Sequence, residues 1–364
     1  MNKALVFIPH KYRTHIDEEL ALVRTIYTDI DDIIYVRRPN PKYYIPMNRL
    51  EDLKNTESDI VVLDRLRPVQ KINILRKTGK EPIDRIDLIL EIFALHAGSK
   101  EAKLQIELAR LKHRLPIIKE AIRRAKLGEL HGFLGAGRYG YEKYYRMVKE
   151  REARIRRELR KLSKTREIRR KKRIKYGLPH ISIVGYTCSG KTTLFNTLTG
   201  YDKPVGPEPF TTLNPKTGSF FFNGKKFIAI DTVGFIRDLP PEIIDAFYAT
   251  LEEIIYSDII VNVIDISKGI EEAIKELKET RKILLGLGVQ GKPIIIALNK
   301  IDLLETRDLI EASRKIYSLL DPAEIPILIS AKTGHNIDLL KRLIDELSVS
   351  GDLNAKNICV EVRA

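Results

Sequence analysis

The stretch Gly185-Tyr186-Thr187-Cys188-Ser189-Gly190-Lys191-Thr192 decides the fold of the second half of the chain. It fits the pattern G-x-x-x-x-G-K-[ST], follows an apolar run at 180–184, and precedes a segment of helical character at 193–198. A glycine loop between a buried strand and a helix cradles phosphate groups, because backbone N–H groups and the helix N-terminus point at the anion. The alternative is a tight strand–helix turn with an incidental lysine, which this context disfavours.

This phosphate loop predicts a site for a nucleoside triphosphate with a magnesium ion. Lys191 is expected to reach the β- and γ-phosphates, and the Thr192 hydroxyl is expected to bind Mg²⁺. The nucleotide-contacting residues predicted here are Gly185, Tyr186, Thr187, Cys188, Ser189, Gly190, Lys191, Thr192 and Thr193.

Two further motifs complete the predicted phosphate end of the site. The segment 231–234 fits D-x-x-G at the end of a predicted strand, so that Asp231 would hold magnesium through water and the Gly234 N–H would meet the γ-phosphate. One threonine of Phe210-Thr211-Thr212 is expected to close on magnesium when the γ-phosphate is present, with Thr212 favoured over Thr211. The predicted catalytic residues are thus Lys191, Thr212 and Gly234, and the predicted metal ligands are Thr192, Thr212 and Asp231.

Two motifs at the ends of later strands predict guanine as the base. Asn299-Lys300-Ile301-Asp302 fits N-K-x-D, and the Asp302 carboxylate can accept hydrogen bonds from guanine N1–H and the exocyclic amine. Adenine has no such donor pair, so it would leave the carboxylate without partners. The stem of Lys300 is expected to lie over the base. A backbone N–H of Ser330-Ala331-Lys332, which fits S-A-K, is expected to read guanine O6.

The sequence predicts slow GTP hydrolysis by the protein alone. Many GTPases carry a Gln after D-x-x-G that orients the attacking water, but Phe235 stands at this position. Arg237 is the one nearby candidate for an arginine finger in cis. A partner that orders the loops is therefore expected to raise the rate.

Composition and charge bound the class of protein. At 364 residues the chain has room for two or three domains, and no apolar run approaches the length of about 18 residues that would span a bilayer. Two cysteines offer no disulfide framework, and the N-terminus is too short and too poor in charge for a signal peptide, so a cytoplasmic location is expected. The net charge of +15 indicates a polyanionic partner, either nucleic acid or a membrane surface.

The predicted fold class is α/β: a small N-terminal α/β domain plus an antiparallel helical hairpin, followed by a Ras-like P-loop GTPase domain. Apolar runs at 4–8, 32–36 and 59–64 alternate with helical patterns at 16–27 and 68–77, which indicates a mainly parallel sheet. A heptad seam from Leu104 to Ala125, then glycines, then a second apolar repeat indicate the hairpin, with Pro116 expected to kink its first helix. The predicted segments are 1–83, 84–178 (the basic arm), 179–349 (the GTPase domain) and 350–364 (a tail).

The second helix of the arm carries most of the net charge. Residues 149–175 contain fifteen Lys or Arg and four Glu, an excess of eleven positive charges. One interpretation is a solvated face with ion pairs four residues apart, such as Glu152 with Arg156. Cations at 166–175 have almost no acidic neighbours, which favours contact with RNA. Aromatic residues at the tip, among them Tyr139 and Tyr141, are available to stack on unpaired bases.

At this point the sequence closely resembles HflX-type GTPases. The resemblance lies in D-T-V-G-F-I-R-D-L-P at 231–240, T-L-E-E at 250–253, D-R-I-D-L-I-L-E-I-F-A at 84–94 and K-L-Q-I-E-L-A at 103–109. It implies a ribosome-associated GTPase that acts on the large subunit and its rRNA, with splitting or rescue of stalled ribosomes as its role. The chain departs from the family at the arm tip, where the glycine spacing is only partly kept, and at Cys188, where the family often has the Asn that helps hold potassium.

Two functions from different classes remain open. The first is a GTP-switched factor that binds the large ribosomal subunit, expected to be a monomer without a membrane span. The second is an RNA-binding or RNA-remodelling protein whose GTPase domain regulates RNA affinity without a ribosome. A third function, an enzyme that modifies RNA, has no second catalytic constellation to support it.

Overall fold

The computed structural model describes residues 3–127, 137–175, 177–201, 216–238, 243, 251, 253–289 and 291–350. The chain divides into two compact units. The first comprises Met1–Lys164 with Pro240–Phe247, and the second comprises Thr165–Leu239 with Tyr248–Ala364. The finer division at residue 83 stays a prediction.

The first unit is a parallel sheet followed by a helical hairpin. Its strands are β1 Lys3–Pro9, β2 Asp29–Val36, β3 Asp59–Val62 and β4 Ile83–Asp84. Its helices are α1 Ile16–Ile26, α2 Met47–Leu50, α3 Pro68–Thr78, α4 Arg85–His96, α5 Lys100–Lys126 and α6 Gly137–Lys175, the last of which continues into the second unit. The sheet order is β2-β1-β3-β4 and every neighbouring pair is parallel, which confirms the predicted α/β domain.

Burial explains why these strands and helices form. Phe7 on β1 and Ile60 on β3 are fully buried in one apolar cluster, which also takes Ile45 and Leu50 from the segment after β2. The helix α1 buries its acidic Glu19, whose carboxylate accepts from Arg85 at 2.8 Å. Two oppositely charged groups buried together satisfy one another, whereas either one alone would be costly to bury.

The two long helices run antiparallel, as predicted. Ion pairs join Lys100 to Glu158, Glu107 to Arg151 and Lys126 to Glu142, so residues later in α5 lie against residues earlier in α6. The helix α5 is continuous through Pro116. The helix α6 begins at Gly137, within the glycine-containing stretch predicted to separate the two helices, and residues 128–136 of the tip lie outside the described residues.

The second unit is a six-stranded sheet with helices on both faces. Its strands are β5 His180–Gly185, β6 Lys216–Phe222, β7 Lys225–Asp231, β8 Ile259–Asp265, β9 Ile294–Asn299 and β10 Glu324–Leu328. Its helices are α7 Lys191–Thr199, α8 Ile270–Gly286, α9 Thr306–Tyr317 and α10 Ile337–Ser350. The order is β10-β9-β8-β5-β7-β6, and β6 alone among these strands is antiparallel to its neighbour.

The loops that follow β5, β7 and β9 lie at the carboxyl ends of these parallel strands, on one side of the sheet. Strands β5 and β8 are buried along their whole length, so their near-continuous apolar sequences are those of central parallel strands. Asn223 and Gly224 both have positive φ in the two-residue turn between β6 and β7, as the Asn-Gly signal predicts. Among the described residues, no helix combines the length and the apolar character needed to cross a membrane. Residues 351–364 of the predicted tail lie outside the described residues.

Candidate nucleotide-binding site

The phosphate loop lies between β5 and α7. Two of its positions require glycine, because atoms of other segments lie too close to the loop backbone to leave room for a Cβ. A Cβ on Gly185, whose φ is 141°, would lie 2.2 Å from the carbonyl oxygen of Val263 on β8. A Cβ on Gly190, whose φ is 99°, would lie 2.3 Å from Nδ2 of Asn299. Ser189 is fully buried, and its Oγ has no hydrogen-bond partner among the described residues. A buried hydroxyl without a partner, in a loop that leads into a helix N-terminus, fits a site that receives an anion.

We expect Gly185→Ala to destabilise the second unit by about 3 kcal/mol, because it adds a backbone clash to a φ that L-residues avoid. Gly200→Ala is the matched control, since Gly200 also has a positive φ but has open space around it, and we expect a cost of about 1 kcal/mol. Denaturant unfolding followed by circular dichroism measures both. Equal losses of stability would contradict the proposed role of the Val263 carbonyl.

Lys191 lies inside the loop and is almost fully buried. Its Nζ donates a hydrogen bond to the carbonyl oxygen of Tyr186. Burial lowers the pKa of Lys191 to about 8, and the negative charge of Asp231 opposes this shift. A cation held in a buried position is suited to phosphate oxygens, which would replace its lost solvation.

Thr192 and Asp231 bring two oxygen groups together at the start of α7 and the end of β7. The Thr192 hydroxyl donates to Asp231 Oδ2 at 3.1 Å, and Asp231 is fully buried. Hydroxyl and carboxylate oxygens are the ligand types that Mg²⁺ prefers. The donor set therefore fits the predicted ion. The third predicted ligand, Thr212, lies with Phe210 and Thr211 outside the described residues.

The D-x-x-G segment is paired with the phosphate loop through its backbone. The Thr187 N–H donates to the Phe235 carbonyl at 2.8 Å, and the Phe235 N–H donates to the Gly185 carbonyl at 2.9 Å. A Cβ on Gly234 would lie 2.9 Å from Cγ2 and 3.0 Å from Cα of Thr187, so only glycine fits closely here. The Phe235 side chain is buried and does not face water.

Arg237 is held by a carboxylate on the helix α8. Its guanidinium contacts Glu272, and both side chains are nearly buried. The phosphate-loop residue Tyr186 also contacts α8, where its hydroxyl donates to Glu279. Arg237 was the one nearby candidate for an arginine finger, and in the structure its guanidinium is paired with Glu272. Sequence reasoning gave no role to Glu272 or Glu279, because no motif marks either residue.

Asn299 joins the phosphate loop to the S-A-K loop. Its Nδ2 donates to the Ser189 carbonyl at 2.8 Å, and its Oδ1 accepts from the Ala331 N–H at 2.9 Å. The side chain is 2% exposed, so these two bonds satisfy a buried amide. Ser330 is also buried, whereas Lys332 is exposed at the mouth of the same loop.

Lys300 and Asp302 complete the predicted base end. Lys300 has a φ of 68°, and its Nζ pairs with Asp265 Oδ2 at 2.6 Å. Asp265 ends β8, is 1% exposed and was missed at the sequence level, since a lone Asp after an apolar run carries no motif. Asp302 is exposed in the short turn that follows Lys300. Exposed Cys188 and the helix residue Thr193 flank the phosphate end.

Three family profiles match successive parts of the chain. The profile described as "GTP-binding GTPase N-terminal" matches residues 13–94, and the profile described as "GTP-binding GTPase Middle Region" matches residues 96–173. The profile described as "50S ribosome-binding GTPase" matches residues 180–300, which contain the phosphate loop and the D-x-x-G segment.

Curated relatives match nearly the whole chain. The GTPase HflX of Hyperthermus butylicus is 48% identical over 337 residues, which cover 89% of this chain and 90% of that protein. The GTPase HflX of Saccharolobus solfataricus is 44% identical over 360 residues, which cover 96% and 99% respectively.

Two solved structures, both complexes with GDP, are also similar. One is described as a complex of SsGBP with GDP; it is 37% identical, covers 96% of this chain and 100% of its own, and has a TM-score of 0.56. The other is a GTP-binding protein from the hyperthermophilic archaeon Sulfolobus solfataricus, 36% identical, covering 97% and 100%, with a TM-score of 0.52.

Proposed function

Because the chain belongs to the HflX family of GTPases, we propose that it is a GTP-switched factor that associates with the large ribosomal subunit and splits or rescues stalled ribosomes. Family membership shows that the protein binds and hydrolyses GTP. The association with a ribosomal subunit, the cytoplasmic location and the monomeric state are the finer parts and belong to the proposal.

We assign the phosphate end of GTP to the loop 185–193. The backbone amides of this loop and the cation of Lys191 bind the phosphate oxygens, and the Gly234 N–H meets the γ-phosphate. Thr192, Asp231 and Thr212 would hold Mg²⁺, which neutralises charge on the β- and γ-phosphates when it is bound. Asp302 and the S-A-K loop select guanine, while Asn299 fixes the distance between the base end and the phosphate end through its two hydrogen bonds.

The described residues supply no side chain to orient the attacking water. Phe235 is buried with its backbone paired to the phosphate loop, and Arg237 is paired with Glu272. The protein alone therefore hydrolyses GTP slowly. Binding of a partner that rearranges the segment after Gly234 raises the rate.

The positive charge of the helical hairpin is the main support for a ribosomal subunit as the partner. It begins in the first unit with α5 and continues through α6 into the second unit, where the excess of positive charge is greatest. Between residues 149 and 156 the cations pair with acids, as Arg156 does with Glu152 at 2.6 Å, whereas the sequence of 166–175 offers only Glu167 against seven cations. A rigid basic arm on a GTPase fits a large RNA surface, because phosphate neutralisation dominates such binding. The family description "50S ribosome-binding GTPase" supports the large subunit.

We expect the protein to cosediment with large ribosomal subunits about tenfold more tightly with a non-hydrolysable GTP analogue than with GDP, a coupling of about 1.4 kcal/mol. We also expect the subunits to accelerate GTP turnover. The measurement is a nucleotide-dependent pelleting assay with purified small and large subunits in parallel, followed by phosphate release at increasing subunit concentration.

The same assay separates the two candidate functions. Binding to free RNA without nucleotide-dependent binding to subunits would favour a GTP-regulated RNA-binding or RNA-remodelling protein. Turnover that stays equal with and without subunits would refute the dependence on a partner.

A further inference from the structure

One face of the helix α8 is acidic and lies beside the phosphate end of the nucleotide site. Glu272, Glu276 and Glu279 follow one another at spacings of four and three residues, so their side chains share one face of the helix. Glu276 is 2% exposed, and the other two are partly buried. Buried carboxylates are costly unless they are paired, so their contacts show what this face does.

The two outer carboxylates hold two different loops of the site. Glu279 accepts a hydrogen bond from the hydroxyl of Tyr186 in the phosphate loop. Glu272 pairs with the guanidinium of Arg237, three residues after Gly234 of the D-x-x-G segment. The two carboxylates are seven residues apart, a distance of about 10 Å along the axis of one helix. The helix α8 therefore fixes the phosphate loop and the D-x-x-G segment relative to each other.

The middle carboxylate lies within electrostatic range of the phosphate-binding lysine. Glu276 pairs with Lys268 Nζ at 3.4 Å. Burial lowers the pKa of Lys191 to about 8, and the negative charges of Asp231 and, more weakly, of Glu276 oppose this shift. The acidic face of α8 is thus close enough to the phosphate position to act on the groups around it.

The three residues after Gly234 are held close to the phosphate loop. Phe235 and Ile236 are buried, and Arg237 is 9% exposed. The Phe235 carbonyl accepts from the N–H of Thr187 at 2.8 Å, and a Cβ on Gly234 would lie 2.9 Å from Thr187 Cγ2. The backbone that is expected to meet the γ-phosphate therefore packs directly on the phosphate loop, and the ion pair of Arg237 holds its far end.

The ion pair resists movement of this segment because both charges have lost most of their water. The side chains of Arg237 and Glu272 are 11% and 13% exposed. If Arg237 moved away with its segment, Glu272 would stay behind as a nearly buried carboxylate without this cation, which is costly. The guanidinium does not lose its proton in proteins, so deprotonation of the arginine does not open the pair. The pair therefore favours one position of the segment.

We propose that Glu272 is a positioning residue of the GTP switch, which acts through Arg237 to hold the segment after Gly234 against the phosphate loop. A γ-phosphate that meets the Gly234 N–H enters the contact between Gly234 and the phosphate loop, and the segment moves to admit it. The ion pair opposes this movement and so weakens the binding of GTP relative to GDP. The inference rests on the proposed GTP switch and assigns to this chain the contact that resists switching.

The test measures how tightly the full chain binds GDP and a non-hydrolysable GTP analogue, with Mg²⁺ present, by competition against a fluorescent guanosine diphosphate. Glu272→Gln removes one charge of the pair. Glu272→Gln/Arg237→Gln removes both charges, so that no buried charge loses its partner. Glu271→Gln, which changes an exposed acid in the same turn of α8, is the matched control.

Both pair variants are expected to raise the affinity for the analogue relative to GDP about tenfold, a shift of about 1.4 kcal/mol. The double variant should go no further than Glu272→Gln, because both substitutions act on one contact. Exchanging the partners, as Glu272→Arg/Arg237→Glu, should bring the ratio back toward that of the unchanged protein. The control should keep the ratio of the unchanged protein.

An unchanged ratio in both pair variants, or an equal change in Glu271→Gln, would overturn the proposal. Weaker binding of both nucleotides by the same factor would also overturn it, because the pair would then only support the fold. A gain for the analogue in Glu272→Gln with a loss in the double variant would show that Arg237 contacts the γ-phosphate itself, which contradicts a restraint. No ribosomal subunit is present, so these failures leave subunit association untouched. Failure of the unchanged protein to bind either nucleotide would refute the nucleotide site and this proposal together.

Discussion

Asp302→Asn is expected to reverse the base preference from guanine to xanthine. In the proposed site the carboxylate of Asp302 accepts two hydrogen bonds from guanine, and each charge-assisted bond contributes about 1.5 kcal/mol, so their loss should weaken GTP binding about a hundredfold. The amide of the variant donates to the xanthine oxygen that replaces the guanine amine, so xanthosine triphosphate gains a similar factor. The ratio of the two affinities therefore changes by about ten-thousandfold.

The structure favours a clean outcome for this exchange. Asp302 is exposed and the neighbouring Lys300 is held by Asp265, so the substitution leaves the buried support of the base end untouched. Asp308→Asn, an exposed acid in the first turn of α9, is the matched control and should keep the preference for GTP. Competition of both triphosphates against a fluorescent guanosine diphosphate measures the ratio. Unchanged affinity for GTP would refute the assignment of Asp302 to the base.

The variant also tests the switch. If nucleotide binding controls subunit association, Asp302→Asn should pellet with large subunits in the presence of a xanthosine analogue and lose the response to the guanosine analogue. This outcome would tie association to the nucleotide site of this chain and not to a contaminating GTPase.

Local chemistry explains which parts of the site could be predicted. The phosphate loop, D-x-x-G and N-K-x-D each need particular residue types at fixed spacing, and the structure places them at the carboxyl ends of β5, β7 and β9. Asn299 was predicted through its motif, but its hydrogen bond to Ser189 was not, because the two residues are 110 positions apart and meet only when β5, β8 and β9 align. Asp265 was missed for the same reason.

The helical arm shows a second limit of sequence reasoning. The heptad seam predicted one apolar face on α5, and Leu115 and Ile118 of that seam do pack against Val148 of α6. The helix also buries Ala109 and His113, which are off the seam, because α3 and α4 cover α5 from another side. A heptad pattern marks the face that packs against another long helix, because those contacts repeat along the helix. Contacts with a globular domain do not repeat, so no pattern marks the residues that make them.

The resemblance segment at 84–94 contains buried ionic groups whose role the sequence did not reveal. Asp84 ends β4 and caps the N-terminus of α4, and its carboxylate accepts from Lys71 Nζ at 3.0 Å and from His113 Nε2 at 3.0 Å. Asp87 lies beside the same lysine and histidine. Lys71 occupies the centre of this group, so the arrangement of two carboxylates and a histidine is an ion-pair network rather than a metal site. It joins α3, α4 and α5, and therefore fixes the hairpin to the sheet of the first unit.

Asp84→Asn is expected to destabilise the first unit by about 3 to 5 kcal/mol, because it leaves buried Lys71 and His113 with one carboxylate where they had two. Asp84 is fully buried, and the His113 hydrogen bond and the Lys71 charge hold its pKa below the ordinary value against the opposing effect of burial. The matched variant is Asp87→Asn on the same helix end. Burial and the nearby Asp84 charge raise the pKa of Asp87, so removing its charge relieves repulsion and should cost less.

The pH dependence of stability gives an independent test of the same network. A carboxyl whose pKa is lower in the folded state contributes stability that is full above its unfolded pKa, about 3.9, and is lost as pH falls toward the folded value. Unfolding free energies should therefore fall below about pH 4 in the unchanged protein, and this loss should be smaller in Asp84→Asn than in Asp87→Asn. If both variants keep the acid sensitivity of the unchanged protein, Asp84 is not the group that stabilises the junction. If Asp84→Asn is both less stable at neutral pH and less sensitive to acid, then the network of Lys71, Asp84 and His113 fixes the hairpin to its domain.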